Sequence, residues 1–351
     1  MNIRYIKMKI IVDVPQGFIQ KIRTMIETGK YVSVEEFVEV SLLNQLSLEE
    51  DNNLNLDSFS KKKEIIKTEV PYPRIQNIGN ILSLNEENYG KIILSEIPFE
   101  NQLYSGPIWG QYNKIFPVKV TLRALANSLL DGNQYIDLDD FSKKTSEAAR
   151  SLGLKLLDSD KMQKRVKGEK LSIALPVGEN PYKSKTRFTN HFIGYLDSEG
   201  KLNGAPGKIK FISIVQKEKK KIGITKFGLQ FASLLNPILD QDVHNEGTLS
   251  KKEIEYLIDH LRANIPEEYE AIIYLLSMIK EGKNRPSEQT QEILNIYKKL
   301  TIPQAGIFRG GLVSRMIELD LITSYRIGMR EIGYKITETG LSLIKKGGVS
   351  I

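Results

Sequence analysis

The sequence predicts a mainly α-helical chain with small β elements: an N-terminal strand-and-helix segment, then two larger helix-plus-hairpin domains. Three observations carry this. Apolar residues recur at helical spacing through most of the 351 residues, interrupted by short stretches of strand alternation. Helix starts and stops are marked by Ser, Thr, Asp, Pro and Gly at the expected offsets. The pattern Ile-Thr-x-x-Gly-Leu occurs twice, at 224–229 and 336–341, each time after a strand-like run. The expected divisions are 1–48, a linker over 49–80, a domain over 81–240 and a second over 241–351.

The N-terminal segment comes first. In KIIVDVP, Ile10, Val12 and Val14 alternate with Lys9, Ile11 and Asp13 before Pro15, which is strand periodicity. Phe18, Ile22, Met25 and Ile26 then mark a helix that ends at Gly29. Ser33 and Glu36 form a capping-box pattern that opens a second helix through Phe37, Val40, Leu43 and Leu46. This order, with the Gly29-Lys30-Tyr31 turn, resembles the ribbon–helix–helix family over residues 8–48. The resemblance implies an obligate homodimer with paired strands, outward residues Lys9, Ile11 and Asp13, and a phosphate-holding turn at Val32-Ser33-Val34. Asp13, Glu35, Glu36 and Glu39 depart from the family's usual charge, so the segment reads as a dimerisation ribbon rather than a base reader.

Residues 47–80 are rich in Asn, Asp, Ser and charge, with no sustained period, and read as a linker. Residues 81–117 hold short β-like runs and four aromatics, Tyr104, Trp109, Tyr112 and Phe116. These form either a base-stacking platform or the packed start of a domain.

From Val118 the pattern is helical, with Val118, Leu122, Leu125, Ala126 and Leu129 on one face and a stop at Gly132. A second helix is capped by Asp137 or Asp139. TRFTNHFIGYL reads as a short helix with Phe188, Phe192, Ile193 and Leu196 inward and Lys185, Arg187, Asn190 and His191 outward. KIKFISIVQ and KIGIT pair as strands around a basic tip carrying Lys217, Lys219, Lys220 and Lys221, and a closing helix follows. Helices, a hairpin and a closing helix resemble the winged-helix order, in which one helix enters the major groove and the hairpin lies over the backbone.

Residues 250–346 repeat the plan. Ser250 and Glu253 form a capping box, Gly282 stops the next helix, and Pro286 starts a third. PQAGIFRGGLVSRMIELDLI resembles the recognition helix of winged regulators of the multiple-antibiotic-resistance type, through Val313-Ser314-Arg315-Met316-Ile317 and the exit Leu319-Asp320-Leu321-Ile322. That resemblance makes Arg309 and Arg315, with Arg326 and Arg330 on the hairpin, candidate DNA contacts. The second domain either grips a duplex or mediates assembly.

Composition bounds the function. The chain has no cysteine, which excludes disulfides, thiolate metal sites and cysteine nucleophiles, and His191, His244 and His260 are scattered. No metal or cofactor is expected. No apolar run reaches the roughly 20 residues of a membrane span, so no membrane partner is expected. The N-terminus has no cleavage site of secretory type, and a cytoplasmic location is expected. No phosphate-loop, dinucleotide or hydrolase motif occurs, and Asp137, Asp139 and Asp140 read as helix-start acids, so the chain is not expected to be an enzyme.

The net charge of +7 is unevenly placed: −3 over 1–60, zero over 61–110, +10 over 111–240 and zero over 241–351. Such a local excess is the footprint of a surface that meets phosphates, or else a surface tuned for solubility. The expectation is a dimeric, sequence-specific double-stranded DNA-binding protein that regulates transcription. A replication-initiator or partition protein of a plasmid or virus is one alternative. A scaffold or adaptor of a larger assembly, such as an antiviral one, is another.

Overall fold

The computed structural model describes residues 16–27, 78–242, 247–327 and 331–346, with Val34 and Val38. The chain divides into two units, Met1–Pro71 and Tyr72–Ile351. In the first, α1 (Gln16–Glu27) is a helix whose Phe18 is 62% exposed. The predicted strand over 9–15, the Ser33 capping box and most of the predicted linker lie outside the described residues.

The second unit is mainly helical, with small antiparallel sheets. It opens with α2 (Ile78–Leu82) and α3 (Glu86–Tyr89). The β-like runs expected over 81–117 form no paired strand. Residues 91–99 take no helix either, and the Ser95 amide donates to Ile224 O at 2.8 Å. The stretch therefore reaches the sheet through the buried Ser95, while Ile93, Leu94 and Phe99 stay exposed. Of the aromatics, Tyr112 and Phe116 are buried, whereas Tyr104 and Trp109 are about two-fifths exposed.

Helix α4 (Phe116–Ser128) starts with Pro117 in its first turn and is buried on every side from Phe116 to Ala126, Lys119 and Arg123 included. Strand β1 (Ile136–Asp137) leads into α5 (Leu138–Met162), and Asp137 caps that helix by accepting from the Asp139 and Asp140 amides at 3.0 Å. Helix α6 (Pro181–Phe188) runs into a π-turn (Thr189–Ile193). A two-stranded insert, β2 (Tyr195–Leu196) and β3 (Leu202–Asn203), precedes the one-turn helix α7 (Ala205–Lys208). Strands β4 (Ile212–Gln216) and β5 (Lys220–Ile224) form the expected hairpin. β1 adds to the far edge of β5, giving the order β1-β5-β4. Helix α8 (Lys226–Ser233) closes this half.

The second half runs α9 (Lys251–Asn264), α10 (Pro266–Lys280), α11 (Pro286–Ile296), α12 (Ile302–Glu318), β6 (Ile322–Ile327), β7 (Glu331–Ile336) and α13 (Glu338–Lys346). Its helix starts follow the expected signals. The Ser250–Glu253 capping box forms in both directions, and Pro266, Pro286 and Pro303 each fall in a first turn.

The hexapeptide repeat is also a structural repeat, bond for bond. Lys210 and Asp320 both take left-handed backbone, at φ 61° and 53°. The Thr225 and Thr337 amides donate to Phe211 O and Leu321 O at 3.0 and 3.1 Å. Their hydroxyls donate to Lys210 O and Asp320 O and accept from the Gly228 and Gly340 amides. The glycines are required by close approach. A Cβ on Gly228 would lie 2.1 Å from Phe211 O, and one on Gly340 would lie 2.2 Å from Leu321 O. The pattern is thus a clasp that fixes each closing helix to the start of its own hairpin.

The two halves share one core, joined through buried charges. Arg123 uses all its N–H groups, donating to Ala232 O, Leu82 O, Leu234 O and both oxygens of Asp240. Lys119 donates to Phe231 O, Leu234 O and Glu253 Oε1, at 2.6, 2.7 and 2.8 Å. Burial pushes its ammonium down to about 8, and the Glu253 carboxylate opposes that shift. From the other half, Arg315 meets Glu268 at 2.8 Å and donates to Ile108 O and Tyr112 O, while Glu268 accepts from the Ile108 amide. The Glu318 carboxylate accepts from the Ile115 and Phe116 amides, placing an anion on the open N-terminus of α4. A stack of Tyr256 on His260, with Phe211 4.7 Å from the imidazole, completes the joint.

Removing one member of a buried pair strands the other without water. Arg315→Met is therefore expected to cost about 3–5 kcal/mol in denaturant unfolding; a loss below about 1 kcal/mol would show that the joint is not held this way. Thr225→Ala and Thr337→Ala should each cost about 1 kcal/mol or slightly more, because each hydroxyl is both cap and clasp. Clearly unequal losses would break the equivalence of the two clasps.

Candidate nucleic-acid interface

The candidate surface of the first half is built on α6, the π-turn and the β4–β5 hairpin. Asn180 starts α6 by accepting from the Lys183 amide at 3.0 Å, with Pro181 at the first helical position. Phe188, Phe192 and Ile193 bury one side and anchor the segment. The opposite side leaves Lys183, Arg187 and Asn190 exposed. Lys183 was not singled out from sequence. Its signal was its place on the same helix face as Arg187, four residues on.

Two of the expected outward residues are engaged elsewhere. Lys185 is only partly exposed and pairs with Glu147 of α5. His191 is half-buried and sits edge-on to Tyr112, ring centroids 5.7 Å apart. Burial first, then the neighbouring Arg187, pushes its imidazolium down to about 4, so at neutral pH it carries no charge for a phosphate.

The hairpin carries the denser charge. Lys217, Lys219 and Lys220 are exposed, and Lys221 is half-buried opposite Asp137 in the strand register. Asp137 lies 3.9 Å from Lys219, and its carboxyl is held below the usual range by the α5 N-terminus first and by Lys219 and Lys221 after burial is counted against it. One carboxylate thus faces several lysines, and the tip stays positive. The Lys220 ammonium reaches Leu196 O at 3.4 Å, on the strand that directly follows the π-turn. That contact ties the hairpin to strand β2, which follows the π-turn.

The candidates of the second half are dispersed. Arg315 is 1% exposed and held by Glu268 and the 108–112 backbone, so it forms part of the joint and offers nothing to a duplex. The reason is steric as well as ionic. Gly110 lies against Gly311 so closely that a Cβ on Gly311 would stand 2.3 Å from Gly110 Cα. Residues 108–112 therefore cover the stripe of α12 that carries Gly311 and Arg315. Arg309 is half-buried beside the Tyr334 hydroxyl at 3.4 Å. Arg326 is exposed on β6, and Arg330 lies outside the described residues. The start of α12 exposes Ile302, Pro303 and Gln304, and the Ile307 side chain is partly exposed beside Gly110; none of them is a cation.

Among the described residues no cluster of three or more His, Asp or Glu is arranged to hold a metal, and no helix is long and apolar enough to cross a membrane. Gly204-Ala205-Pro206-Gly207 is packed into the core around α7, with Gly207 against the Leu202 side chain, and forms no open phosphate loop. The chain matches no protein-family model, no curated protein and no solved structure.

The buried imidazoles give a pH prediction. His191 and His260 are both pushed by burial to about 4, below the ordinary 6.5. A depressed histidine supports the fold in its neutral form, so that stability is complete above about pH 6.5 and is lost as pH falls toward 4. Unfolding free energy should drop by roughly 1–2 kcal/mol per histidine between pH 7 and 5, after allowance for the partial exposure of His191. His191→Phe and His260→Gln should each flatten the profile. A flat wild-type profile over that range would contradict the assignment.

Proposed function

We propose that this chain binds double-stranded DNA through its first half, as a dimeric, sequence-specific protein of the transcription-regulator kind. The observation that carries this reading is that Lys183 and Arg187 on α6, Asn190 on the π-turn that follows it, and Lys217, Lys219 and Lys220 on the hairpin are all exposed. The order α4, β1, α5, α6, β4, β5, with the sheet order β1-β5-β4, resembles a winged helix carrying the β2–β3 insert. In that arrangement α6 with its π-turn meets the major groove, and the mobile-ended lysines of the hairpin neutralise phosphates.

The second half has the matching order of helices, hairpin and closing helix. Its α12 stripe is closed by residues 108–112, which favours an assembly role for this half over a second duplex grip. The exposed Ile296, Ile302 and Ile307 give the scaffold reading its one specific support. Residues 1–48 are proposed to join two chains, and the uncovered Phe18 of α1 is the kind of apolar side chain that a partner covers.

The test is binding of the full chain to random duplex and to its own promoter across a salt series. Affinity should fall steeply with salt, and Lys219→Ala with Lys220→Ala and Lys221→Ala should lower the log–log slope by about 2–3. Arg326→Ala should change little. Salt-independent or absent binding overturns the DNA reading. Removal of residues 1–48 should yield monomers by light scattering, and a persisting dimer would move the dimer interface elsewhere.

A further inference from the structure

The three main helices of the second half do not close completely on one another. Between α10, α11 and α12 lies a recess of about 230 Å³. Its floor is fully buried core, formed by Leu275, Met278, Ile293, Phe308 and Leu312. Its rim is different. Tyr274 is 39% and Ile296 46% exposed, and Tyr297, Glu270 and Ala271 complete the lining.

Size and charge narrow what such a recess accepts. A dry apolar cavity of about 150 Å³ suffices for a benzene ring, so this one takes a ring with a compact substituent and is too small for a peptide helix. No lysine, arginine or histidine lines it. Glu270 is exposed and has no ion-pair partner among the described residues. Lys283, whose charge acts on the Tyr274 hydroxyl, is engaged by Glu292 at 2.8 Å. The carboxylates at the start of α10 are felt inside the recess: the Tyr297 hydroxyl is pushed up by burial and then by Glu268, Glu270 and Glu267. An apolar floor under a mouth of two tyrosine rings and an unpaired carboxylate is the chemistry that holds an organic cation.

We propose that this recess binds a small organic cation, a hydrocarbon ring bearing a quaternary or protonated amine, with the ring on the floor and the charge at the mouth beside Glu270, Tyr274 and Tyr297. A neutral molecule of the same shape gains only the floor. An anion meets Glu270 and is refused. The site belongs to the second half and uses no residue of the cationic α6–hairpin surface, so it stands or falls independently of DNA binding.

The test uses the full chain with benzyltrimethylammonium and its uncharged carbon analogue neopentylbenzene as probes, followed by saturation-transfer NMR and calorimetry. The cation should bind more tightly than the hydrocarbon. Glu270→Gln and Tyr274→Leu should each weaken the cation about 2- to 5-fold and leave the hydrocarbon unchanged. Ala271→Met, which fills the recess from α10, should abolish both; the two rim variants change exposed side chains and keep the test open if the filled variant does not fold. Absence of binding by either probe overturns the site. Equal or tighter binding of the hydrocarbon, or indifference of the cation to both rim variants, overturns its cationic specificity.

Discussion

The burial of three cations organises the larger unit. Arg123, Lys119 and Arg315 are all essentially inaccessible, and a charge taken out of water is tolerable only when paired and fully hydrogen-bonded. Each solves this with partners far away in sequence. Arg123 takes Asp240, Lys119 takes Glu253, and Arg315 takes Glu268 with the carbonyls of 108–112. Two of these three ties run between the halves. The joint is directional, because every donor has a fixed carbonyl or carboxylate to reach, and a sliding apolar interface would lack that constraint. Asn236 extends it, donating to Thr248 O and the Glu253 carboxylate while its own carbonyl accepts from the Ile238 and Leu239 amides.

That joint explains why two copies of one plan now differ. The clasp of Thr, left-handed residue and glycine is the same in both, because it serves only the local closure of hairpin on helix. The surfaces outside the clasp answer to different demands. In the first half, the segment from α6 to the hairpin is anchored by Phe188, Phe192 and Ile193 and turns its cations outward. In the second, the helix before the hairpin gives Gly311 and Arg315 to the joint, and what remains at its start is apolar. The same chassis therefore presents a charged face once and a largely uncharged one the other time.

How much of this was legible in the sequence follows from the range of the interactions involved. Caps, proline starts, glycine stops, the β4–β5 hairpin and the repeated hexapeptide are set within a few residues, and each could be read directly. The roles of the cations depend on contacts made across 41 to 207 residues, and no local pattern carries those. Arg315 shows the difficulty best: its helical setting is that of a groove-reading arginine, and only the arrival of residues 108–112 turns it inward. Lys119 and Arg123 did leave a trace. VKVTLRALA is apolar on all sides except for Thr121 and two cations four residues apart, and a helix of that composition is buried with its charges satisfied. Glu253 was legible as a capping-box acid but not as the partner of Lys119, since one carboxylate here performs both tasks.

The same distinction revises what the positive segment means. A count of +10 over 111–240 treats every cation as surface, yet Lys119 and Arg123 are internal, and Lys119 is neutralised by a carboxylate from outside the segment. His191, which that count already leaves out, carries no charge at neutral pH, and Lys185 is shared with Glu147. What remains outward includes a smaller set carried by one segment, Lys183 and Arg187 on one helix and the lysines of one hairpin, beside the exposed Lys143, Lys144, Lys155, Lys161, Lys164 and Lys226. For phosphate recognition the smaller set is the stronger argument, because attraction to a polyanion depends on charges that share a face and keep their water, and a sum over the chain weighs buried and exposed charges alike. The buried cations hold the two halves in register, and the exposed ones are left free to face outward because that register does not need them.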